Sequence, residues 1–206
     1  MRDLEKRIHQ RVGTLPAGLQ AHIFRVREIA GELAQRHGID PDRAALGALA
    51  HDVARAMPGD ALIRRATELD LPIDRVERLA PILLHGPVGA EILRREDRLG
   101  DQAIYRAVHS HTTGAPALDA LGKVVFLADK LDPQKIVRYP YLPHLHDLAM
   151  EDLDRAMLEF LTRELVSLAT QGRPVHPRMV EARNALLLPT GGASTSSHSS
   201  TGEDRC

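Results

Sequence analysis

The sequence predicts an all-α protein that folds as a single helical domain, and three observations support that fold class. Hydrophobic residues make up 43% of the 206 residues, but aromatic residues make up only 3% and Trp is absent. The core must therefore be aliphatic, and Leu- and Ala-rich segments favour helices over strands. Apolar positions also recur at helical spacing along most of the chain. Finally, Pro, Gly and Asp stand where helices would begin or end.

Two helices are predicted before residue 40. Apolar residues at helical spacing indicate a short helix over residues 2–12, which Gly13 ends. Residues 17–37 carry a longer apolar stripe, and Gly38 is its expected C-cap. His22 lies in the first turns of this second helix, close to the stripe. Taken alone, His22 is most simply a half-buried histidine whose hydrogen bonds are satisfied inside the protein.

The third predicted helix has Asp40 as its N-cap and Pro41 in its first turn, and it ends at His51 and Asp52. Adjacent residues on a helix point about 100° apart. These two side chains can bind the same ligand only if the helix ends there and the ligand is small. A metal ion is such a ligand, and an imidazole with a carboxylate suits a borderline divalent metal. A lone His-Asp pair is also typical of an ordinary helix end.

Two further helices, over residues 58–69 and 73–79, are predicted next, and the second is expected to lie outside any metal centre. Pro81 opens a short turn that presents His85. Gly86 follows and lets the backbone come close either to a neighbouring helix or to a phosphate. Both interpretations of Gly86 remain open from the sequence.

His109 and His111 stand at the end of the next predicted helix, residues 101–109. They are two positions apart, so on a regular helix only one of them can face a metal site. An apolar helix over residues 118–128 then presents Asp129 at its end. Charged residues are almost never fully buried unless they are paired, so Asp129 is expected to face a cation.

The last third of the chain is predicted to be less regular. Residues 133–143 form a cationic and aromatic stretch that could bind phosphate and stack a base, or could be a surface loop. Residues 150–170 are predicted to form one long amphipathic helix, and residues 178–188 a last one. Gly, Ser and Thr dominate the end, so we expect a folded domain over residues 1–188 and a disordered tail over residues 189–206.

Charge and cysteine content exclude several classes of function. The net charge of −1, from 27 basic and 28 acidic residues, offers no electrostatic footprint for nucleic acid. The single cysteine, Cys206, excludes a disulfide framework and a thiolate metal site. The N-terminus lacks an apolar signal region, and no apolar run is long enough to span a bilayer. A cytoplasmic protein without a membrane partner is the expectation.

The order of the ligand-type residues carries the functional prediction. They are His22, His51, Asp52, His85, His111 and Asp129. This order resembles the HD superfamily of metal-dependent phosphohydrolases. Three segments, Leu84–Ala90, Ser110–Gly114 and Lys123–Pro133, resemble more closely the YqeK-type HD proteins, which are symmetrical diadenosine tetraphosphate hydrolases of bacteria. The resemblance extends over about residues 15–188.

The resemblance implies an all-α HD-type domain with its metal site among the central helices. It assigns one divalent ion to His22, His51, Asp52 and Asp129, and a second ion to His85 and His111, with Asp52 bridging. A carboxylate has two oxygens and can join two ions, whereas a neutral imidazole binds one. Iron is the first choice of metal and manganese the second, because the site has no sulfur ligand.

The resemblance also implies the roles of other residues. Asp52 and His109 are the expected catalytic residues, with His109 as a proton carrier or a phosphate contact. In the family an arginine usually stands at that position, and Leu19 and Ile23 also depart from the family pattern. The expected substrate contacts are Gly86, Thr112, Lys130 and Lys135.

The implied activity is the symmetrical hydrolysis of diadenosine tetraphosphate to two ADP by a water that two metal ions activate. The expected partner is this small nucleotide, with no nucleic acid or membrane, and the protein is expected to be a monomer or homodimer. Two alternatives remain: an HD phosphatase of nucleoside monophosphates or other small phosphate esters, and a non-catalytic nucleotide sensor. A cyclic-nucleotide phosphodiesterase is conceivable by analogy of fold alone.

Overall fold

Residues 2–188, the part of the chain described by this computed structural model, form α-helices and two short 3₁₀ helices (Pro81–Leu84 and Pro133–Lys135) but no strand. The helices are α1 (Arg2–Gly13), α2 (Ala17–Arg36), α3 (Pro41–Ala50), α4 (Gly59–Glu68), α5 (Arg75–Leu79), α6 (His85–Arg95), α7 (Gln102–Ser110), α8 (Ala120–Lys130), α9 (Leu142–Glu151), α10 (Leu153–Thr170) and α11 (Pro177–Leu187). The predicted all-α class is confirmed. The predicted tail, residues 189–206, lies outside the described residues.

Helices α2, α3, α7 and α8 form the centre of the domain. Helix α2 packs against α3 and α8, and α7 contacts α3, α6 and α8. The side chains between them are almost all aliphatic, and Leu33, Leu49 and Leu127 are fully buried. Burying one such side chain contributes about 1.5–3 kcal/mol, so this shared core fixes how the central helices face each other. None of the described helices is both long and apolar enough to cross a membrane.

The early helix boundaries follow from local capping. The Asp40 side chain accepts hydrogen bonds from the amides of Asp42 and Arg43, as predicted for an N-cap. Gly38 follows α2 and has a φ of +66°, a left-handed conformation that costs a glycine nothing. The expectation that His51 and Asp52 stand at a helix end is also met, because α3 ends at Ala50.

The C-terminal third differs from the predictions in two ways. The stretch predicted to be irregular contains the start of α9, whose proline, Pro143, occupies the first helical turn, where a missing amide hydrogen costs nothing. The single helix predicted from residue 150 is instead two helices. Asp152 is extended and its side chain accepts hydrogen bonds from the amides of Asp154 and Arg155, so it ends α9 and caps α10.

Helix α5, expected to lie outside any metal centre, supplies no ligand candidate, although Val76 and Leu79 line the cavity beside those candidates. One expectation about the middle of the chain is corrected. Gly86 is not a lining residue of that cavity. A Cβ atom at Gly86 would lie 3.0 Å from the carbonyl oxygen of His109 and 3.1 Å from that of Val108. The glycine therefore permits close packing of α6 on α7, the helix-contact alternative, rather than a phosphate contact.

Candidate metal centre

Six side chains of the ligand type converge at the centre of the fold. They come from the first turns of α2 (His22), the residues after α3 (His51 and Asp52), the first residue of α6 (His85), the residue after α7 (His111) and the last turn of α8 (Asp129). Five of them are buried and His22 is partly buried. The structure thus brings together all six residues that the sequence singled out, over a separation of more than 100 positions.

Three of the four imidazoles are oriented in the same way. In each, Nδ1 donates its hydrogen to the backbone carbonyl three residues earlier, which can only accept. The pairs are His51 with Ala48 (2.6 Å), His85 with Ile82, and His111 with Val108 (2.7 Å). Each of these rings therefore presents the lone pair of Nε2 to the centre, which is the form that binds a metal.

Within residues 2–188, the Nε2 atoms of these three rings have few hydrogen-bond donors, and only the Thr112 hydroxyl lies near two of them. The Nε2 atoms of His85 and His111 lie 2.9 Å apart, although both carry a lone pair in the tautomers described above. Among the described residues, the buried Nε2 of His51 has no hydrogen-bond partner. A buried polar atom without a partner costs about 1–3 kcal/mol, and a cation between these rings would remove that cost. The donor set therefore fits a metal centre.

Asp52 divides the four imidazoles into two pairs. Its Oδ1 lies 3.0 Å from Nε2 of His85 and 3.5 Å from Nε2 of His111. Its Oδ2 lies 3.3 Å from Nε2 of His51 and 3.8 Å from Nε2 of His22. The two oxygens of one carboxylate thus face two different sets of ligands.

Asp129 joins only one of these sets. Its Oδ1 lies 3.1 Å from Nε2 of His22 and 3.8 Å from Nε2 of His51. Ligand atoms of His22, His51 and Asp129 lie close enough together to hold one ion, as do those of His51, Asp52 and His111. The two groups share His51, and the one that contains His22 has Asp129 as its carboxylate.

The electrostatics of the cluster favour a cationic occupant. Burial opposes ionisation of Asp52, but the surrounding imidazoles of His51, His111 and His85 hold the pKa of this carboxyl well below its usual range. The pKa of Asp129 is likewise held well below its usual range, against burial, by Lys130 and Lys135. Burial lowers the pKa of His111 to about 4, so this ring stays neutral at physiological pH. Two buried anions beside the neutral imidazole of His111 match the requirements of a divalent ion.

Sequence reasoning missed Asp132 and Arg25. The Nδ1–H of His22 donates to Oδ2 of Asp132 over 2.5 Å, and Arg25 donates two hydrogen bonds of 2.8 Å to the same carboxylate. Burial raises the pKa of Asp132, but the bonds from Arg25 and His22 outweigh it and lower the pKa to about 2. Spacing was an available signal for Arg25, which stands three residues after His22 on the same face of α2, whereas Asp132 lies beyond the end of α8.

The predicted substrate contacts Lys130, Lys135 and Thr112 all reach this cluster. The Nζ of Lys130 donates to Oδ2 of Asp129 (2.6 Å) and to the carbonyl of His111 (3.1 Å). The Nζ of Lys135 donates to Oδ1 of Asp129 (2.7 Å). The hydroxyl of Thr112 lies 3.3 Å from Nε2 of His111. These groups border the cavity and place two ammonium groups next to the ligands.

A cavity of about 800 Å³ opens over the cluster. Cationic side chains stand on its wall, and beyond them the lining is apolar and aromatic. The cationic residues are Arg55, Lys130, Lys135, Arg138 and Arg173, and the apolar and aromatic ones include Leu19, Leu79, Leu83, Tyr139, Phe160, Leu168 and Met179. Its size is within the range of small-ligand sites, and the two kinds of wall suit a phosphate chain and a nucleoside. Leu19 and Ile23 are the two departures from the family pattern that lie near His22. Leu19 lines this cavity, whereas Ile23 is buried in the core.

The structure does not bring His109 to the metal centre. Its ring lines a second cavity of about 340 Å³ with Arg178 and with His176, which also lines the first cavity. The Nδ1 of His109 lies 3.4 Å from an Nη of Arg178. Burial, together with the charge of Arg178, lowers the pKa of His109 to about 4. The expectation that His109 carries protons or contacts phosphate is therefore corrected, because helical geometry turns it away when His111 faces inward.

We expect His109→Gln to retain full metal content and to change only the pH dependence of stability. The unfolded chain binds a proton at His109 near pH 6.5, whereas the folded protein binds it near pH 4. Between pH 4 and pH 6.5 the unfolded state thus binds more protons than the folded state. As the pH falls from 7 to 5, His109 therefore lowers the free energy of unfolding by about 1–2 kcal/mol. Urea unfolding at both pH values measures the difference. Loss of an ion in His109→Gln would instead show that His109 is a metal ligand.

Comparison with known proteins supports the same interpretation. Residues 19–134 match the sequence profile of the HD domain family. The chain is 31% identical over 156 residues to a Bacillus subtilis protein named symmetrical bis(5'-nucleosyl)-tetraphosphatase, and the alignment covers 76% of this chain and 82% of that protein. A protein of the same name from Halalkalibacterium halodurans is 30% identical over 167 residues, covering 81% of this chain and 88% of the relative.

A solved structure has the same fold. It is described as a predicted HD superfamily hydrolase involved in NAD metabolism from Clostridium acetobutylicum, with a TM-score of 0.83 and 26% sequence identity. The similarity covers 88% of this chain and 96% of that one. The residues that match the HD profile, 19–134, include all six converging ligand candidates, so the sequence match, the fold and the site agree. The chain belongs to the HD domain family, and its relatives include proteins named symmetrical bis(5'-nucleosyl)-tetraphosphatase.

Proposed function

We propose that this protein hydrolyses diadenosine tetraphosphate symmetrically, to two ADP, at a centre of two divalent ions. The single observation that carries the proposal is the division of the imidazoles by Asp52, whose Oδ1 lies 3.0 Å from His85 Nε2 and whose Oδ2 lies 3.3 Å from His51 Nε2. A carboxylate oriented in this way can bridge two ions. We infer the substrate from the names of the two relatives that are 31% and 30% identical to this chain.

Six side chains would hold the two ions. His22, His51 and Asp129 would hold one ion and His85 and His111 the other, and Asp52 would bridge them. Two ions at such a centre supply Lewis acidity and make water a potent nucleophile at neutral pH. We propose iron as the resident metal, with manganese as the second choice, because histidine nitrogen and carboxylate oxygen suit both and sulfur is absent.

The other lining residues have roles that follow from their chemistry. Lys130 and Lys135 carry their charge beside Asp129, where they would neutralise the phosphate chain, and Thr112 offers a hydroxyl next to His111. Arg138 stands on the same wall, beside Tyr139, and extends the positive surface outwards. The apolar and aromatic part of the cavity would hold an adenosine and exclude water from the reacting phosphate.

The products distinguish this activity from its alternatives. If one adenosine occupies the cavity and its second phosphate lies over the ligand cluster, water attacks that phosphorus, the bond to the central bridging oxygen breaks, and both halves leave as ADP. Chromatography of an early time point, with ferrous iron supplied anaerobically or with manganese, should show ADP alone. AMP together with ATP would reject symmetrical cleavage. Rapid hydrolysis of a nucleoside monophosphate without turnover of this substrate would support the phosphatase alternative.

A further inference from the structure

His22 differs from the other three histidines in its second hydrogen-bond partner. The other rings donate Nδ1–H to neutral backbone carbonyls, whereas His22 donates to the carboxylate of Asp132 over 2.5 Å. His22 also stands within a helix, while the others stand at helix ends. Its side chain is 13% exposed and the side chain of Asp132 only 2%. The orientation of His22 therefore depends on one buried carboxylate.

Asp132 is itself held on both of its oxygens. Arg25, one turn along α2 from His22, donates Nε–H to Oδ1 and an Nη–H to Oδ2, each over 2.8 Å. The backbone amide of Gln134 donates to Oδ1 over 3.1 Å. With both oxygens bound, the carboxylate cannot rotate away from the imidazole. The 3₁₀ turn after α8 and the first turns of α2 are thus locked together at this point.

We propose that Asp132, held by Arg25, is a positioning residue that makes the ion position of His22, His51 and Asp129 the tighter of the two, so that this position fills first. The inference deepens the proposed function and rests on its centre of two ions. Asp132 acts through His22 and would touch neither metal nor substrate.

The physical reason is the difference between a charged and a neutral partner. An imidazole that donates to a carboxylate is a stronger base at its other nitrogen and is held in one tautomer, and loss of such a partner costs about 10- to 100-fold in metal affinity. The position near His22 has this support and also has Asp129. Among residues 2–188, the position of His85 and His111 has only the carbonyls of Ile82 and Val108 behind its rings, and no carboxylate other than Asp52.

The test is a titration of the full-length, metal-free protein with Mn²⁺ in competition with a chromophoric chelator, which needs no substrate. The wild-type protein should bind two ions in separate steps. Asp132→Asn keeps the shape of the side chain but removes its charge, and should weaken the first step about 10- to 100-fold. His85→Ala, which removes a ligand of the other position, should abolish the second step and leave the first in place.

A matched control separates positioning from general stability. Asp101 also accepts two hydrogen bonds of 2.8 Å from one arginine, Arg43, and also caps a helix, but it lies at the far end of α7 from the cluster. Asp101→Asn should lower the melting temperature and leave both binding steps as in the wild type. If Asp132→Asn behaves in the same way, the carboxylate is only structural and the proposal is overturned.

Other outcomes are equally decisive. Two wild-type steps of equal affinity would overturn the proposed order of filling. An unchanged first step in Asp132→Asn would overturn the role of Asp132. A wild-type protein that binds only one ion would reject the centre of two ions, and would do so without any measurement of hydrolysis. Normal two-step binding without hydrolysis of diadenosine tetraphosphate would reject the proposed substrate and leave the metal inference standing.

Discussion

Replacing Asp52 by Ala is expected to abolish hydrolysis and to leave the purified protein without either ion. Both oxygens of this carboxylate face imidazole nitrogens, at 3.0 and 3.3 Å, so its loss removes a ligand from both positions at once. Activity should fall on the order of 10³-fold or more, because neither the water nor the developing charge on phosphate would be stabilised. Metal analysis after desalting, together with an assay of ADP release, measures both effects.

Asp97→Ala is the matched control for this variant. Asp97 is 5% exposed, as is Asp52, and is paired with Arg11 on α1, outside the cavity. Its removal takes one of two carboxylate partners from the half-buried guanidinium of Arg11, which keeps Glu96, and should lower stability, yet it should leave both ions in place. Two tightly bound ions per chain in Asp52→Ala would show that Asp52 does not bridge. His85→Ala should weaken only the second ion.

A large loss of metal occupancy and turnover is also expected from Gly86→Ala, although this substitution adds only one methyl group. The added methyl group would lie 3.0 Å from the carbonyl oxygen of His109, 3.1 Å from that of Val108 and 3.3 Å from Cε1 of His111. Backbone carbonyls in a helix cannot move aside singly, so α6 must shift away from α7. That shift separates His85 from His111, whose Nε2 atoms are 2.9 Å apart. We expect occupancy of the second ion position and turnover to fall at least about tenfold, because small misplacements at a reacting centre are costly.

Stability should also fall in Gly86→Ala, by about 1–3 kcal/mol, as is usual for an overpacked interior. Gly31→Ala in α2 is the control, since a Cβ atom there would meet nothing within 4 Å. That change should raise stability by about 0.5–1 kcal/mol through helix propensity and leave metal binding unchanged. Wild-type turnover in Gly86→Ala would show that the contact of α6 with α7 tolerates movement.

Much of the candidate site could be predicted because its residues carry strong local signals. His51 and Asp52 end an apolar helix, His85 follows a proline turn, and Asp129 follows a long apolar run. Each is a polar residue where the local pattern predicts burial, and a buried charge requires a partner. Asp132 lacked such a signal, because an aspartate just before a proline is also an ordinary helix cap. Only its contact with His22, 110 positions away, identified it.

The predictions for His109, Gly86 and helix α9 were wrong because local sequence does not show how helices pack. His109 was expected to act on the substrate because the family usually has an arginine at its position, and Gly86 because a glycine lets the backbone approach a phosphate. On helices, however, neighbours in sequence point in different directions, and which direction faces the cavity is set by packing. Helix α9 was missed because Pro143 is compatible both with an irregular loop and with a first helical turn.

The amino-acid sequence by itself determined the helical class, the aliphatic core, the six ligand candidates and the HD family. These depend on residue type, spacing and order, which are properties of short segments read along the chain. Only the tertiary structure decided that the two oxygens of Asp52 face different pairs of histidines, that Asp132 and Arg25 hold His22, and that His109 faces another cavity. Such facts depend on the rotation and distance of helices packed against each other, which are fixed by a shared core whose members are far apart in sequence.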